Sequence, residues 1–281
     1  MDGLSPKPRP PKRTPDHRCL LGSLKANIGH LETASGMTPE EVRASQGFAK
    51  TLKAWHLHRL AVRNGALGIP IAVDQPIDAE PAAFVSFDAA MTAASDLLDE
   101  ALTDLQAGGA AFPFTAAPGF AGFDTPATFA EFNRALAAKV LVHRATFVGC
   151  GACWGEAEAA LAASFIDDTG LPASLATGVY YGFSSAAGEP ANPVSEPLSS
   201  NRLWVHPSIV TGAQSNGGTP DLRLTEKVMD AGRVRSLNDL EGTHKPVMFH
   251  SASDPAVADL GADIPWIHNE ELLLLRAEVR W

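Results

Sequence analysis

The sequence lacks the features of a membrane-spanning protein and of a general nucleic-acid binder. No apolar run approaches the roughly 18 residues of a membrane-spanning helix, and no apolar centre of about 7–15 residues marks a signal peptide near the N-terminus. Basic residues are outnumbered, with 22 Lys and Arg against 32 Asp and Glu and a net charge of −10. Because phosphate contacts require a concentrated basic surface, this charge argues against nucleic-acid binding.

Cysteine is also scarce, with three residues in the chain. Cys19 does not follow the apolar stretch that precedes a lipoprotein cysteine. Cys150 and Cys153 are separated by two residues, a spacing that suits a metal site, dithiol exchange or a small disulfide. No second such pair or spaced histidine pair completes a zinc site, and the surroundings do not form a strand-to-helix context. We therefore expect a local disulfide or two unpaired thiols, and no metal or other cofactor.

Length and composition predict a folded core that follows a solvent-exposed N-terminal tail. With 281 residues, of which 45% are apolar, the chain can form one large or two ordinary domains. Residues 1–18 differ because they are rich in basic residues and proline. Such a segment favours extended conformations and cannot bury a core, so we expect a disordered tail over residues 1–18.

Four amphipathic segments predict helices up to residue 166. They cover residues 38–64, residues 86–106, a stretch that follows 124–126, and residues 154–165. The first has a strong start signal, in which Thr38 caps the helix, Pro39 occupies its first turn and Glu41 completes a capping box. Helical spacing places Trp55 in the core. Gly47 is expected where a neighbouring helix packs closely.

The pattern changes between residues 167 and 263, where Pro, Gly, Ser and Asn interrupt short apolar runs. Irregular stretches of this length commonly carry binding function. Short strands are expected at 179–181 and 202–205. A last helix, residues 269–281, is expected to be capped by Asn269, and its continuous apolar run without a stop signal predicts that the natural protein continues beyond Trp281.

Several short segments, taken together and in order, resemble proteins of the SusD/RagB family of outer-membrane nutrient-binding proteins. The similar segments are residues 47–54 with 67–71, 124–129 with 132–136, 203–209, 221–223, and 264–265 with 269–278. Each segment is short, but they span roughly 240 residues in the family's order, which chance would not readily produce.

The resemblance implies a mainly α fold: a tetratricopeptide-like helical scaffold with a large irregular loop-rich region and few short strands. Within residues 38–281, the helical part would cover 38–166 and the loop-rich part 167–263. Members of the family are surface lipoproteins that bind glycans or other nutrients without catalysis and cap a SusC-like, TonB-dependent transporter. The expected location is therefore the outer membrane, although the chain as written, without a signal peptide or lipobox, predicts a cytoplasmic protein.

Residues 19–37 resemble a different family, the ketosynthases of polyketide and fatty-acid synthesis. Lys25 and His30 match the lysine and histidine of that family's motif, which implies roles in site geometry and in decarboxylation and condensation. Those roles require a nucleophilic cysteine within reach of its activating groups, and no cysteine of this chain lies in the expected context. The alternatives are thus a ketosynthase fragment, either with residual acyl-transfer or decarboxylase activity through Lys25 and His30 or inactive without its nucleophile, and an inert chimera. A fusion of two fragments or a gene-model error would explain why the ketosynthase-like segment is followed directly by the SusD-like one.

The leading hypothesis is a non-catalytic binding module for an oligosaccharide or similar nutrient. Sugar recognition commonly uses aromatic rings with polar groups around them. The candidate ligand-binding residues are Tyr180, Tyr181 and Trp204, with Tyr180 preferred. Trp204 and Trp266 also lie in family-wide segments, which favours a scaffold role for both. We expect no catalytic and no metal-binding residues.

Overall fold

The structure, a computed structural model, describes residues 36–72, 80–237 and 240–281. The chain divides into two compact units. The helical unit contains the described residues up to Ala116, together with Ala121–Gly178 and Ile267–Trp281, and the loop unit contains Ala117–Phe120 and Val179–Trp266. The predicted tail and nearly all of the ketosynthase-like segment lie outside the described residues. Among the helices that the structure describes, none has the length and apolarity to cross a membrane.

Five helices build the helical unit within its described residues. They are α1 (Pro39–Asn64), α2 (Phe87–Gln106), α3 (Pro126–Val148), α4 (Cys153–Ala162) and, after the loop unit, α7 (Asn269–Arg280). The predicted starts of the first three are confirmed, because Thr38, Ser86 and Thr125 each accept a hydrogen bond from the first turn. Ahead of α2, a two-residue strand β1 (Ile69–Pro70) pairs with β2 (Phe84–Val85).

Consecutive helices pack on one another around an apolar core. α1 contacts α2, α2 contacts α3, α3 contacts α4, and α7 contacts both α3 and α4. The core contains Phe129 and Phe132 of α3, both fully buried, and Trp55 of α1, which is 4% exposed as predicted. Gly47 marks the closest approach, since a Cβ there would lie 2.6 Å from Leu105 Cγ and 2.9 Å from a backbone oxygen of α2. Close packing at Gly47 is thus confirmed.

A buried histidine pair joins α1 to α3. His58 Nε2 and His143 Nδ1 are 2.9 Å apart, so one ring donates to the other. Burial lowers the pKa of His58 well below its ordinary value, and nearby His143, Lys139 and Arg59 lower it further. The pKa of His143 is also lowered, chiefly by burial. The neutral form of both rings is therefore favoured in the folded protein.

Two helix ends differ from the prediction. Cys150 and Cys153 form a disulfide just before α4. Helix α4 begins at Cys153 and ends at Ala162, three residues before the predicted end at residue 165. Beyond this end, the Ser164 hydroxyl donates to Leu161 O. At α7 the capping role of Asn269 is wrong. His268 occupies the cap position without a side-chain bond, while the Asn269 amide accepts from Asp167 N and donates to Asp167 O. Asn269 therefore fixes a remote turn instead of capping its own helix.

The loop unit contains short helices and paired strands. Its elements are most of β3 (Gly178–Tyr181), then α5 (Pro207–Thr211), β4 (Ser215–Asn216), β5 (Thr219–Pro220), α6 (Leu222–Lys227), β6 (Val228–Leu237), β7 (Leu240–Pro246) and the first part of β8 (Ile264–His268). Strand β8 pairs with β3. Antiparallel partners are β4 with β5 and β6 with β7. The strand predicted at 179–181 is confirmed. The strand predicted at 202–205 is wrong, because Leu203 has φ +51, which interrupts an extended backbone.

Candidate ligand-binding site

A cavity of about 670 Å³ lies within the loop unit. This volume is in the range of sites that hold drug-sized ligands. Its apolar lining consists of Trp204, Val205, Ile209, Ala213, Leu224, Val228, Pro246 and Met248. Its polar lining consists of His206, Gln214, Asp221, Arg223 and Lys227. An apolar wall with a few polar groups is the usual composition of a small-molecule site.

Short helices and the base of the β6–β7 hairpin position this lining. His206 stands before α5, where its Nδ1 accepts a hydrogen bond from Ser208 N. Asp221 caps α6 in the same way by accepting from Arg223 N. Register pairing sets Val228 opposite Pro246 at the hairpin base, so both strands contribute to the wall. The cavity is therefore built from segments whose ends are fixed by caps and strand pairing.

Trp204 is held against the β6–β7 hairpin. The Arg233 guanidinium lies 5.1 Å and the Lys245 ammonium 5.5 Å from the centroid of the indole ring, distances typical of cation–π contacts. Gly242 permits this approach, since a Cβ there would lie 3.3 Å from Trp204 Cβ. The cations cover part of the ring's π surface. Trp204 thus contributes to the cavity wall as part of the scaffold, in addition to any contact with a ligand.

The two cations also organise the chain that precedes Trp204. Lys245, fully buried, donates from Nζ to Pro197 O at 3.0 Å and Ser200 O at 3.1 Å. Arg233 Nη2 donates to three successive carbonyls, those of residues 198–200. Burial lowers the pKa of Lys245, and the nearby Arg233 and Arg202 lower it further. These bonds fix an otherwise irregular segment beside the cavity.

Asp221 and Arg223 form a close ion pair at the cavity wall. Arg223 Nε lies 3.0 Å from Asp221 Oδ1, and Nη2 lies 2.5 Å from Oδ2. Hydrogen bonds from the Arg223 side chain, then from its backbone N–H, lower the pKa of Asp221 to about 2. The same carboxylate raises the pKa of Arg223. Both groups therefore stay charged throughout the physiological range.

Of the three aromatic residues predicted to bind ligand, the structure places Trp204 at the cavity. Tyr180 and Tyr181 are not among its lining residues. Tyr181 stacks on Trp266 with ring centroids 4.3 Å apart, and Trp266 in turn meets Phe120 at 5.9 Å. Tyr180 is half-buried, and its pKa is raised by burial and by Asp263. The two tyrosines and Trp204 thus do not converge on one cavity, and their ligand contacts stay a prediction.

A second cavity, of about 530 Å³, adjoins the same segment of chain. It is lined by Gln214, Ser215, Asn216, Thr219, Pro220, Asp221 and Leu222. Gln214 and Asp221 line both cavities, and Asp221 N donates to Gln214 O at 2.9 Å. The hairpin of β4 and β5 therefore presents mostly polar groups beside the more apolar first cavity.

Sequence reasoning missed most of the cavity lining. Leu224 and Met248 were not singled out, because no periodic pattern connects the short helix α6 with the stretch that follows β7. Ile209 lies in a similar segment but was not assigned to a site. His206 and the pair at residues 221 and 223 fell inside similar segments but were not assigned to a site. In the part of the chain that the structure describes, no group of three His, Cys, Asp or Glu could hold a metal ion. Lys25 and His30 lie outside the described residues.

Comparisons with known proteins show that the fold of this chain is similar to that of solved structures. No family model matches the chain, and a search of curated proteins finds no match. The solved structures that are similar include three Bacteroides proteins. They are NanU of Bacteroides fragilis (12% identity, TM-score 0.56, covering 92% of this chain and 59% of that one), a SusD superfamily protein of Bacteroides fragilis (11%, 0.57, 92% and 60%), and a SusD superfamily protein of Bacteroides vulgatus (10%, 0.54, 94% and 61%).

The similarity covers nearly all of this chain, which spans about 60% of the length of the matched proteins. At 10–12% sequence identity, this similarity shows the fold alone. The predicted mainly α fold, with its tetratricopeptide-like helices, long loops and few short strands, is confirmed. The protein therefore has a SusD-like fold.

Proposed function

We propose that the protein is a non-catalytic binding component of a nutrient-uptake system, and that the cavity beside Trp204 receives an oligosaccharide or a similar ligand. The observation that carries the proposal is a cavity of about 670 Å³ with a mixed apolar and polar lining, within a chain of SusD-like fold. Apolar faces of sugar rings suit Ile209 and Leu224, while hydroxyl groups suit Gln214 and His206. By analogy with the SusD family, the partner is a SusC-like TonB-dependent transporter at the outer membrane.

A binding role agrees with the chemistry of the described residues better than catalysis does. Two of the three cysteines form a disulfide and supply no thiolate nucleophile. At the cavity, Asp221 is fully engaged by Arg223, so this carboxylate is a poor proton acceptor. The alternative, a ketosynthase fragment that contributes Lys25 and His30, requires a nucleophile from outside these residues.

Glycan-array screening of the full chain, followed by calorimetry with the strongest ligand, tests the proposal. Ile209→Glu introduces a charge into the cavity at a side chain that is already 54% exposed. Val257→Glu makes the same change at a side chain of the loop unit that is 52% exposed and does not line the cavity. We expect at least a tenfold loss of affinity for the first variant and none for the second. Equal affinities, or an array without binding, would contradict the proposal.

Gene context separates the binding role from the ketosynthase alternative. A neighbouring gene for a TonB-dependent transporter, with an in-frame lipoprotein signal upstream of the SusD-like part, supports the binding role. An upstream frame that encodes a ketosynthase with its nucleophilic cysteine favours the alternative.

A further inference from the structure

The charges that line the cavity differ in sign from the charge of the whole chain. The protein carries a formal charge of −10. Among the residues that line the larger cavity, Arg223 and Lys227 are cationic and Asp221 is the anionic one. Such a local excess of positive charge on an acidic protein attracts anions selectively, because the remaining surface repels them.

The single carboxylate of the lining cannot neutralise both cations. Asp221 Oδ1 accepts from the backbone N and the Nε of Arg223, and Oδ2 accepts from Nε and Nη2. This carboxylate is therefore committed to Arg223. Arg223 Nη1 donates no hydrogen bond to a described residue, so the guanidinium group retains a donor for a ligand acceptor.

Among the described residues that line the cavity, Lys227 is the cation without an anionic partner from the described part of the chain. It lies four residues after Arg223, at the end of α6, so both residues occupy the same side of this short helix. The described residues place no carboxylate within ion-pair distance of its ammonium group, even though Glu226 is adjacent in sequence. A ligand carboxylate could therefore approach Lys227 without displacing a protein partner.

We infer that the cavity prefers a carboxylate-bearing ligand, such as an acidic sugar, which Lys227 and the spare donor of Arg223 would hold. This inference rests on the proposed binding function and specifies its ligand class. The apolar residues Ile209, Leu224 and Met248 then contact the uncharged part of the same ligand. Because Lys227 is exposed, its attraction for the ligand decreases as salt increases.

The test compares digalacturonic acid with galactobiose by calorimetry on the full chain, since the two disaccharides differ mainly in their carboxylates. For an exposed charge pair we expect roughly two- to fivefold tighter binding of the acid at low salt. Lys227→Met should remove most of this preference by weakening the binding of the acid more than that of galactobiose, whereas Lys227→Arg should retain the preference. Arg202→Met, a charge deletion outside the cavity lining, is the matched control and should retain it as well.

The outcomes separate the two proposals. Equal affinity for the acid and the neutral disaccharide, or an acid preference that survives Lys227→Met, overturns the inference and leaves the binding function intact. If neither these disaccharides nor any array glycan binds, the proposed function and the inference both fail. An acid preference that disappears in both Lys227→Met and Arg202→Met reports net charge alone and also overturns the inference.

Discussion

The helical unit and the loop unit are stabilised by different kinds of interaction. In the helical unit, apolar side chains such as Phe129 and Phe132 are buried between consecutive helices. In the loop unit, Arg233 and Lys245 donate to the carbonyls of irregular backbone and lie over Trp204. Packed helices can thus be stabilised mainly by buried apolar surface, whereas loops that line a cavity need side-chain donors for their backbone carbonyl groups.

The largest expected effect lies in the helical core. Phe132→Ala should lower the free energy of unfolding by about 3–5 kcal/mol, because the change removes a buried ring and leaves a cavity. Phe147→Ala is the matched control on the same helix, where the ring is 65% exposed and meets Phe87 and His143 at its edge. The free energy of unfolding of this variant should fall by no more than about 1 kcal/mol. Urea unfolding followed by circular dichroism measures both, and similar losses would contradict the core assignment.

A smaller and local effect is expected in the loop unit. Lys245→Met should lower the free energy of unfolding by about 1.5–3 kcal/mol, because the carbonyls of Pro197 and Ser200 lose a charged donor. Hydrogen exchange should show faster exchange in β6 and β7, while amides of α1 to α3 stay protected. Lys227→Met, a change at an exposed lysine, controls for the loss of charge. Faster exchange of the core helices in Lys245→Met would show that the two units do not differ as described.

The smallest effect is a pH dependence confined to the helical unit. The folded-state pKa of His58 lies below its ordinary value of 6.5, so the unfolded chain binds more protons between those two values. The contribution of neutral His58 is therefore fully present above pH 6.5 and is lost as the pH falls through the folded-state pKa. Burial is the main cause of the lowered pKa values at this pair. The facing charges of Lys139 and Arg59 lower the pKa of His58 further, while Glu271 and Glu278 act against the lowering at His143.

Unfolding by urea at several values between about pH 7.5 and pH 5 measures this dependence. We expect stability to decrease on acidification in the natural sequence and to decrease less in His58→Gln, which cannot gain the proton. An identical pH dependence in the two proteins would show that His58 does not contribute.

The contrast between the units also explains what the sequence could predict. Helices α1, α2 and α3 follow from caps at Thr38, Ser86 and Thr125 and from helical spacing, all of which are local signals. The β6–β7 hairpin was missed. Its register shifts between Asp230 and Arg235, so the alternation that marks a strand is interrupted.

The site was less predictable than the fold. Trp204 was named from its residue type, but the rest of the cavity brings together residues that are up to 44 positions apart, from 204 to 248. Asn and Asp, residue types that favour turns, follow Leu237 in the sequence and could have indicated the hairpin. Nothing local indicates that Arg233 and Lys245 meet at the indole ring, because that contact depends on the hairpin's tertiary position.

The central claim is that the loop unit binds the ligand while the helical unit serves as scaffold. Hydrogen exchange with and without the strongest array glycan tests this claim most directly. The account predicts slower exchange at residues 204–228 and 246–248 and unchanged exchange in α1 to α3. Slower exchange confined to the helices, with no change around the cavity, would contradict it.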